Sequence, residues 1–586
     1  MIRLLRTRIA GDRGAALPMV IGITVVLGLL VTTAVTYATG SFRQSTATEE
    51  WSASLAAAYA GVEDYQSRLS EDTSYVQYGN PAAAFSISTG SSVKLPAVAQ
   101  KNNAFNVKVD EPWQPVPAGQ GDSFFRYEVD NSKYAGTGNV RIRSTGKVGG
   151  ETRSIVADLR QDGFIDFLYF TDYEMQDPTY TGVSNNCVKH WWAGREGISG
   201  NCGEIAFGGD DVIAGPAHSN DTIRICNATF LGDVTTAYKP VAPDTLRYTA
   251  EQSSGTPCTG QNFGENAGPS FKEYIGMPAT NSEHLRETRA DLTADGVPRP
   301  GCLYTGPTEI VLLANGKISV TSPWTKKTRI TGSPASGFSD NSACGTAAQL
   351  ASGSPFTLPA NNVIYVQNVP TVSSDPNSWG WNERPSGLKC EGESGGTGNG
   401  IGYPVTDEYV ASGAYGCRSG DLFVEGTLSG QATLSAEHYI YVIGDITYND
   451  PEVDLLGLVG NDAVWVWNPV KYVYYYGWKL RPINDSNGDK ERRIDAAIIS
   501  VSHTFLVQNP RYAPSNAVLT VNGAIAQKFR GIVSSNGGGY SKNYVYDERL
   551  KFTAPPKFLS PVTTTYGVNV WIEVEPAFSA AGAPTS

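Results

Sequence analysis

The sequence predicts a mainly β protein led by one long α-helix, with a small β-region after the helix and a large parallel β-solenoid beyond it. Three observations predict this. A charge-free run between Arg13 and Arg43 passes into apolar residues spaced at three and four. Short segments of alternating β-branched residues then recur between glycine and asparagine turns. The composition, with 63 Gly, 34 Pro, 30 Tyr and only 17% charged residues, suits turn-rich β-structure better than a helical bundle.

At 586 residues the chain exceeds what one hydrophobic core holds, so at least two folded regions are expected. The net charge of −12 argues against a nucleic-acid partner, because neutralising phosphates takes clustered Lys and Arg.

Residues 1–14 form a short basic leader, with Arg3, Arg6, Arg8 and Arg13 ahead of the apolar run. Residues 15–42 are long enough to cross a bilayer as a helix, and the preceding arginines hold that end cytoplasmic. The run is too long for a cleaved signal peptide, and "AVTYATG" is a poor cleavage site. Over residues 43–75 the helix continues as an amphipathic element, its stripe running through Trp51, Leu55, Ala58, Val62, Tyr65 and Leu69. The turn-like "YGNP" ends it, so a single rod of roughly 80 Å is expected from the rise per residue.

This layout resembles the type IV pilins and pseudopilins, whose basic leader ends in glycine ahead of a hydrophobic and then amphipathic helix. "RGAALPMVIGI" followed by "AAAYAGVEDY" is most similar to the minor pilins of the PilX type. The resemblance implies cleavage by a prepilin peptidase between Gly14 and Ala15, and packing against other pilins through the helix. The family's glutamate, five residues after the cleavage point, is Met19 here. In a fibre that carboxylate pairs with a neighbour's N-terminal amine, so Met19 suits a subunit at a special position. A plain membrane anchor without processing is the alternative.

Residues 76–163 read as a small β-region. "FFRYEVD" alternates, and "VRIRSTGKVGGETRSIVADLRQ" gives two strands about a hairpin at "GKVGG". Residues 164–573 carry the recurrent "xVxGxI" units of the solenoid, for which a β-sandwich is the rival. This stretch is also similar to the large exported domain of some PilX-type proteins. Residues 574–586 are small and polar and are expected as a disordered tail.

Eight cysteines fall in the middle of the chain without a CxxC pair: Cys187, Cys202, Cys226, Cys258, Cys302, Cys344, Cys390 and Cys417. Their spacing disfavours a zinc cluster and favours disulfides in an oxidising compartment, with neighbours paired so that each bond closes a local loop.

Motifs for chemistry are sparse. "GESGG" places Ser394 in a glycine-rich loop, without the strand and helix that a nucleophile elbow needs. His218 in "HSND" reads as a turn fixed through Asn220 and Asp221. Asp485, Asn487 and Asp489 alternate as in calcium loops, but Lys490 and Ala496 stand where glycine and glutamate belong, which leaves a weak calcium candidate. "VWVWNPVKYVYYYGWKL" is the most aromatic stretch, with Trp465 and Trp467 expected on one strand face and Tyr472, Tyr474 and Tyr476 on another. Such rings either pack a half-buried strand or form a contact surface for a glycan or a protein.

The expected function is that of a minor pilin or pilin-like surface subunit, of low copy or at a fibre tip. It would act in assembly initiation or adhesion, with no catalysis and no cofactor. It would sit as a single-pass membrane protein with an extracytoplasmic body, reaching the cell surface or pilus on assembly. A membrane-tethered enzyme acting on polysaccharide, and a generic anchored surface protein, are the alternatives.

Overall fold

A computed structural model of the chain describes residues 16–585 except 98–100, 118–121, 135–138, 162, 196–197, 199–201, 210, 242–244, 253, 267, 292–299, 330–341, 391–397, 411–413, 484–490, 514–516, 536–537 and 562–565. Gly14 and Ala15, Ser394, and the calcium candidates Asp485, Asn487 and Asp489 lie outside the described residues.

The described chain falls into two compact units. The head takes residues up to 134, 139–160 and 566–585, and the body takes residues from 161 to 561. In chain order the body is therefore an insertion into the head.

The head begins with α1 (Ala16–Glu71), 56 residues long. Its two halves differ as the residue pattern requires. Residues 17–49 are all exposed, whereas Ala57, Ala58, Val62, Tyr65 and Leu69 are buried on one face. In the exposed half Thr24, Thr32, Thr33, Thr36 and Thr39 return their hydroxyls to backbone carbonyls three or four residues earlier. This satisfies those hydroxyls without water. Trp51, expected at the start of the buried stripe, stays 46% exposed, with the Arg153 guanidinium over its ring.

The buried face lies on an antiparallel meander of β1 (Gln114–Pro115), β2 (Ser123–Asp130), β3 (Asn139–Val148) and β4 (Glu151–Gln161). Alternation presents Phe125, Tyr127 and Val129, then Val140 and Ile142, then Ile155, Ala157 and Leu159 to the helix. Two glycines set the distance between helix and sheet. A methyl group at Gly146 would run into the backbone of Ser54 and Ala58, and one at Gly61 into Ser144 and Phe125. Tyr65 packs edge-on against Tyr75 and Tyr127, and its hydroxyl donates to the Tyr78 carbonyl at 3.1 Å.

Two expectations about the C-terminal end are corrected here. Residues 566–573, expected in the body, belong to a strand (Tyr566–Val574) that takes the edge of the head sheet beside β4. Residues 574–586, expected as a disordered tail, include Ala577 and Phe578, each 2% exposed. The Arg126 guanidinium lies over the Phe578 ring and donates to the Gly582 carbonyl at 3.1 Å. These contacts hold a segment whose small, polar composition gives no sign of them.

The body is built from parallel ladders. One runs Cys302–Thr305, Asn362–Gln367, Gln431–Ala436, Leu455–Gly460, Glu491–Ser500, Ala517–Phe529. It then continues through Tyr169–Tyr173, Ala217–Ser219 and Val234–Thr236, so the first strand of the body stacks beyond one of its last. Register aligns Cys302, Ile364, Leu434, Leu458, Ile498, Ile525, Tyr169, Ala217 and Val234 in one column. Every member of that column is at most 3% exposed, so each rung adds an apolar step to a continuous core. A second parallel ladder runs Thr308–Leu313, Leu422–Leu428, Ile440–Tyr448, Val464–Val466, Phe505–Val507. Four disulfides, Cys187–Cys202, Cys226–Cys258, Cys302–Cys344 and Cys390–Cys417, each close a local loop of the body.

Candidate functional site

Two surfaces carry side chains that the fold itself does not use. The first is the N-terminal half of α1, where Leu17, Met19, Val20, Ile21, Val25, Leu27, Leu29, Leu30 and Val35 are all more than half exposed. A helix that is apolar on every side has no stable place in water, so this half demands a bilayer or other apolar helices. Met19 is 70% exposed, and no carboxylate stands in its place.

The second surface is on the body, and it divides the aromatic stretch in two. Trp465 lies on Val464–Val466 and is only 7% exposed. It is in register with Tyr441, which is in register with Phe423. The Phe423 and Tyr441 rings stack at 4.8 Å and 7°, and Tyr403 stacks on Phe423 at 4.0 Å and 9°. Trp467 joins the edge of this cluster and donates its indole N–H to the Tyr415 hydroxyl at 2.9 Å. Trp465 and Trp467 are thus packing residues, Trp465 held among Tyr180, Tyr439 and Tyr441 and Trp467 against Tyr403 and Tyr415.

Tyr472 and Tyr474 behave differently. They lie on an antiparallel hairpin of Val470–Tyr474 and Trp478–Pro482, whose register sets Tyr474 opposite Trp478, Tyr472 opposite Leu480 and Lys471 opposite Arg481. Alternation puts Tyr472, Tyr474, Trp478 and Leu480 on one face and Lys471, Val473, Lys479 and Arg481 on the other. The base is fixed, with Val470 fully buried and its carbonyl accepting from the Tyr409 amide at 2.7 Å. The tip stands in solvent, with Tyr474 69%, Tyr475 63%, Tyr476 90% and Trp478 70% exposed. Tyr476, expected on a strand face, sits in the turn at φ +48°, followed by Gly477 at φ +113°. A bulky residue rarely adopts the left-handed region, and here it does so with its ring in water. Tyr475 and Trp478 escaped the sequence reading. The glycine in "YYYGW" is the signal that marks the turn and could have found them.

The histidines serve the fold. His218 is fully buried, bonded to Thr235 and Asn220, and burial pushes its imidazole down to about 3. Asn220 and Asp221 bond outward to Asp172, Ile275, Arg195 and Trp191, which ties several segments together rather than one turn. His284 bonds Ser435 and the Lys557 carbonyl, and burial pushes it down to about 4. His438 is held by Asp421 at 2.5 Å, and His190 stacks between Tyr173 and Trp192. A cleft of about 450 Å³ is floored by Trp465, Leu506 and Val507 and walled by Asp177, 179–181, 508–510 and 530–532. Its carboxylate, Asp177, is occupied, accepting from the Thr179 amide at 2.8 Å and bonding His503 at 2.7 Å.

No family model matches the chain, and no curated protein does. Among solved structures the chain is similar to the competence-associated pilin ComZ from Thermus thermophilus, at 11% identity and a TM-score of 0.24, over 90% of this chain and 98% of that one.

Proposed function

We propose that this chain is a minor pilin of the PilX type, held at low copy or at a fibre tip, acting in assembly initiation and adhesion without catalysis of its own. The observation that carries the reading is α1, which is apolar and exposed all round over its first half and packed on a sheet over its second. Such a helix can lie in a bilayer and then exchange lipid for the apolar helices of a fibre, at little change in the polarity around it. The arginines of the leader keep its N-terminus cytoplasmic, and cleavage between Gly14 and Ala15 frees the helix for assembly.

Two features favour a special position over a bulk one. Met19 lacks the carboxylate that would pair with a neighbour's amine. The body also inserts roughly 400 residues into the head, an awkward load to repeat along a shaft. We read this body as a parallel β-solenoid. The in-register column and the parallel ladders support that reading, since sandwiches are built from antiparallel sheets.

Polysaccharide cleavage would need two carboxylates set across a sugar. Asp177, in the cleft, is instead committed to a capping amide and to His503. The test is deletion of the gene with counting of surface fibres, together with immunogold labelling of complemented cells. Fewer fibres and label at fibre ends are expected. Unchanged fibres with label spread over the cell envelope would refute the proposal.

A further inference from the structure

The exposed hairpin of Val470–Tyr474 and Trp478–Pro482 has a polarity along its length as well as across its faces. The aromatic side chains Tyr474, Tyr475, Tyr476 and Trp478 gather at the tip. The cations stand further back, Lys479 one residue and Lys471 and Arg481 three residues from the last strand pair, Tyr474 and Trp478. At about 3.3 Å per residue, Lys471 and Arg481 lie roughly 10 Å behind the tip pair. Among the described residues no carboxylate forms an ion pair with any of the three, although the chain as a whole carries a net charge of −12.

This is the order of groups across the surface of a bilayer. Tyrosine and tryptophan settle at the boundary between headgroups and acyl chains. The headgroup layer outside that boundary is roughly 5–8 Å thick, the difference between the full bilayer and its hydrocarbon core shared between two sides. A hairpin with rings at that boundary therefore carries its cations at the level of the phosphates and just outside them, where anionic lipids attract them.

Ring geometry separates this occupant from a polysaccharide. A sugar chain stacks on rings presented flat and side by side. Here Tyr475 and Tyr476 meet at 83°, and Tyr474 and Trp478 at 73°. The tip is a wedge of crossed rings rather than a platform, which suits a medium without a preferred contact plane.

We propose that the 470–482 hairpin is a membrane-docking element that inserts its aromatic tip into the surface of an anionic lipid bilayer. The inference rests on the proposed adhesive role of the chain, and it names the partner of that adhesion.

The full chain, held by α1 in nanodiscs of phosphatidylcholine, is offered vesicles of phosphatidylcholine alone or with 30 mol % phosphatidylglycerol, the composition being chosen as roughly that of an anionic leaflet. Capture of the anionic vesicles is expected, weakened by salt as screened attraction requires. Replacing Lys471, Lys479 and Arg481 by Ser should lower the affinity for anionic vesicles roughly a hundredfold, and to the level seen with the neutral ones. Replacing Tyr474, Tyr475, Tyr476 and Trp478 by Ser should abolish capture of both, and an unchanged melting temperature shows that the body still folds. Wild-type capture no better than that of the tip variant would overturn the proposal. So would binding of a soluble anionic polysaccharide in the absence of vesicle capture. Fibre counts and N-terminal processing are read independently, so failure here is distinct from failure of the pilin reading.

Discussion

The head and the body are held together by different physics. The head is a helix face laid on an antiparallel meander, and the sequence gives it neither a cysteine nor a histidine. The body is built on parallel strand ladders and carries four disulfides and all five histidines. The lesson is that each unit answers to its own perturbation. Close packing governs the head, while redox state and pH govern the body.

The largest expected effect is in the head. Gly146→Val drives a branched side chain into the backbone of Ser54 and Ala58, neither of which can turn away. A loss of about 3–5 kcal/mol is expected. Limited proteolysis should then cut α1 and β3 while the body keeps its disulfides, and cleavage of both units together would break the comparison.

Next comes the body. Replacing Cys226 and Cys258 by Ala releases a loop of 32 residues, and about 2–4 kcal/mol of stability should go with it. Differential scanning calorimetry should show the body transition falling and the head transition unmoved.

A third variant affects neither fold. Leu29 is 64% exposed and touches no core. Leu29→Asp should leave both transitions in place and disfavour membrane insertion by about 3 kcal/mol, read as protein shed from the membrane fraction.

The most gradual effect, spread over a pH range rather than set by one substitution, is acid weakening of the body. His218 and His284 are held neutral by burial, with their imidazoles pushed down to about 3 and about 4. The unfolded chain takes up these protons near pH 6.5 and the folded body does not, so stability falls as pH drops from about 6.5 towards 4. Each histidine contributes about 1.4 kcal/mol per pH unit in that window. A head transition that moved in parallel with the body's would contradict the assignment.

Much of the helix was legible because its signal is local. The change from all-round to one-sided apolarity is written into residues 15–70, and α1 shows it at nearly those bounds. Strands β2 to β4 were legible for the same reason, through alternation and the Gly149–Gly150 turn, while the two-residue β1 was not. The strand Tyr566–Val574 was not. "VNVWIEV" alternates as any strand would, and its partner β4 lies some 400 residues earlier. The stacking of Tyr169–Tyr173 on Ala517–Phe529 was hidden likewise, because pairing order is a property of the assembled ladder. For the contact surface, the sequence named the aromatic stretch but could not divide it. Trp465 packs against Tyr180, Tyr439 and Tyr441, and Trp467 against Tyr403 and Tyr415, relations between distant segments. Tyr472 meets the Tyr409 ring at the hairpin base, whereas Tyr474 and Tyr476 stand in solvent.

The central claim is that α1 is released by processing and carried into a fibre. The most direct measurement is the mass of the N-terminal peptide of this protein recovered from fibres sheared off the cell surface. The account predicts a peptide beginning at Ala15. A chain still beginning at Met1, or protein found in membranes and absent from the sheared fibres, would contradict it.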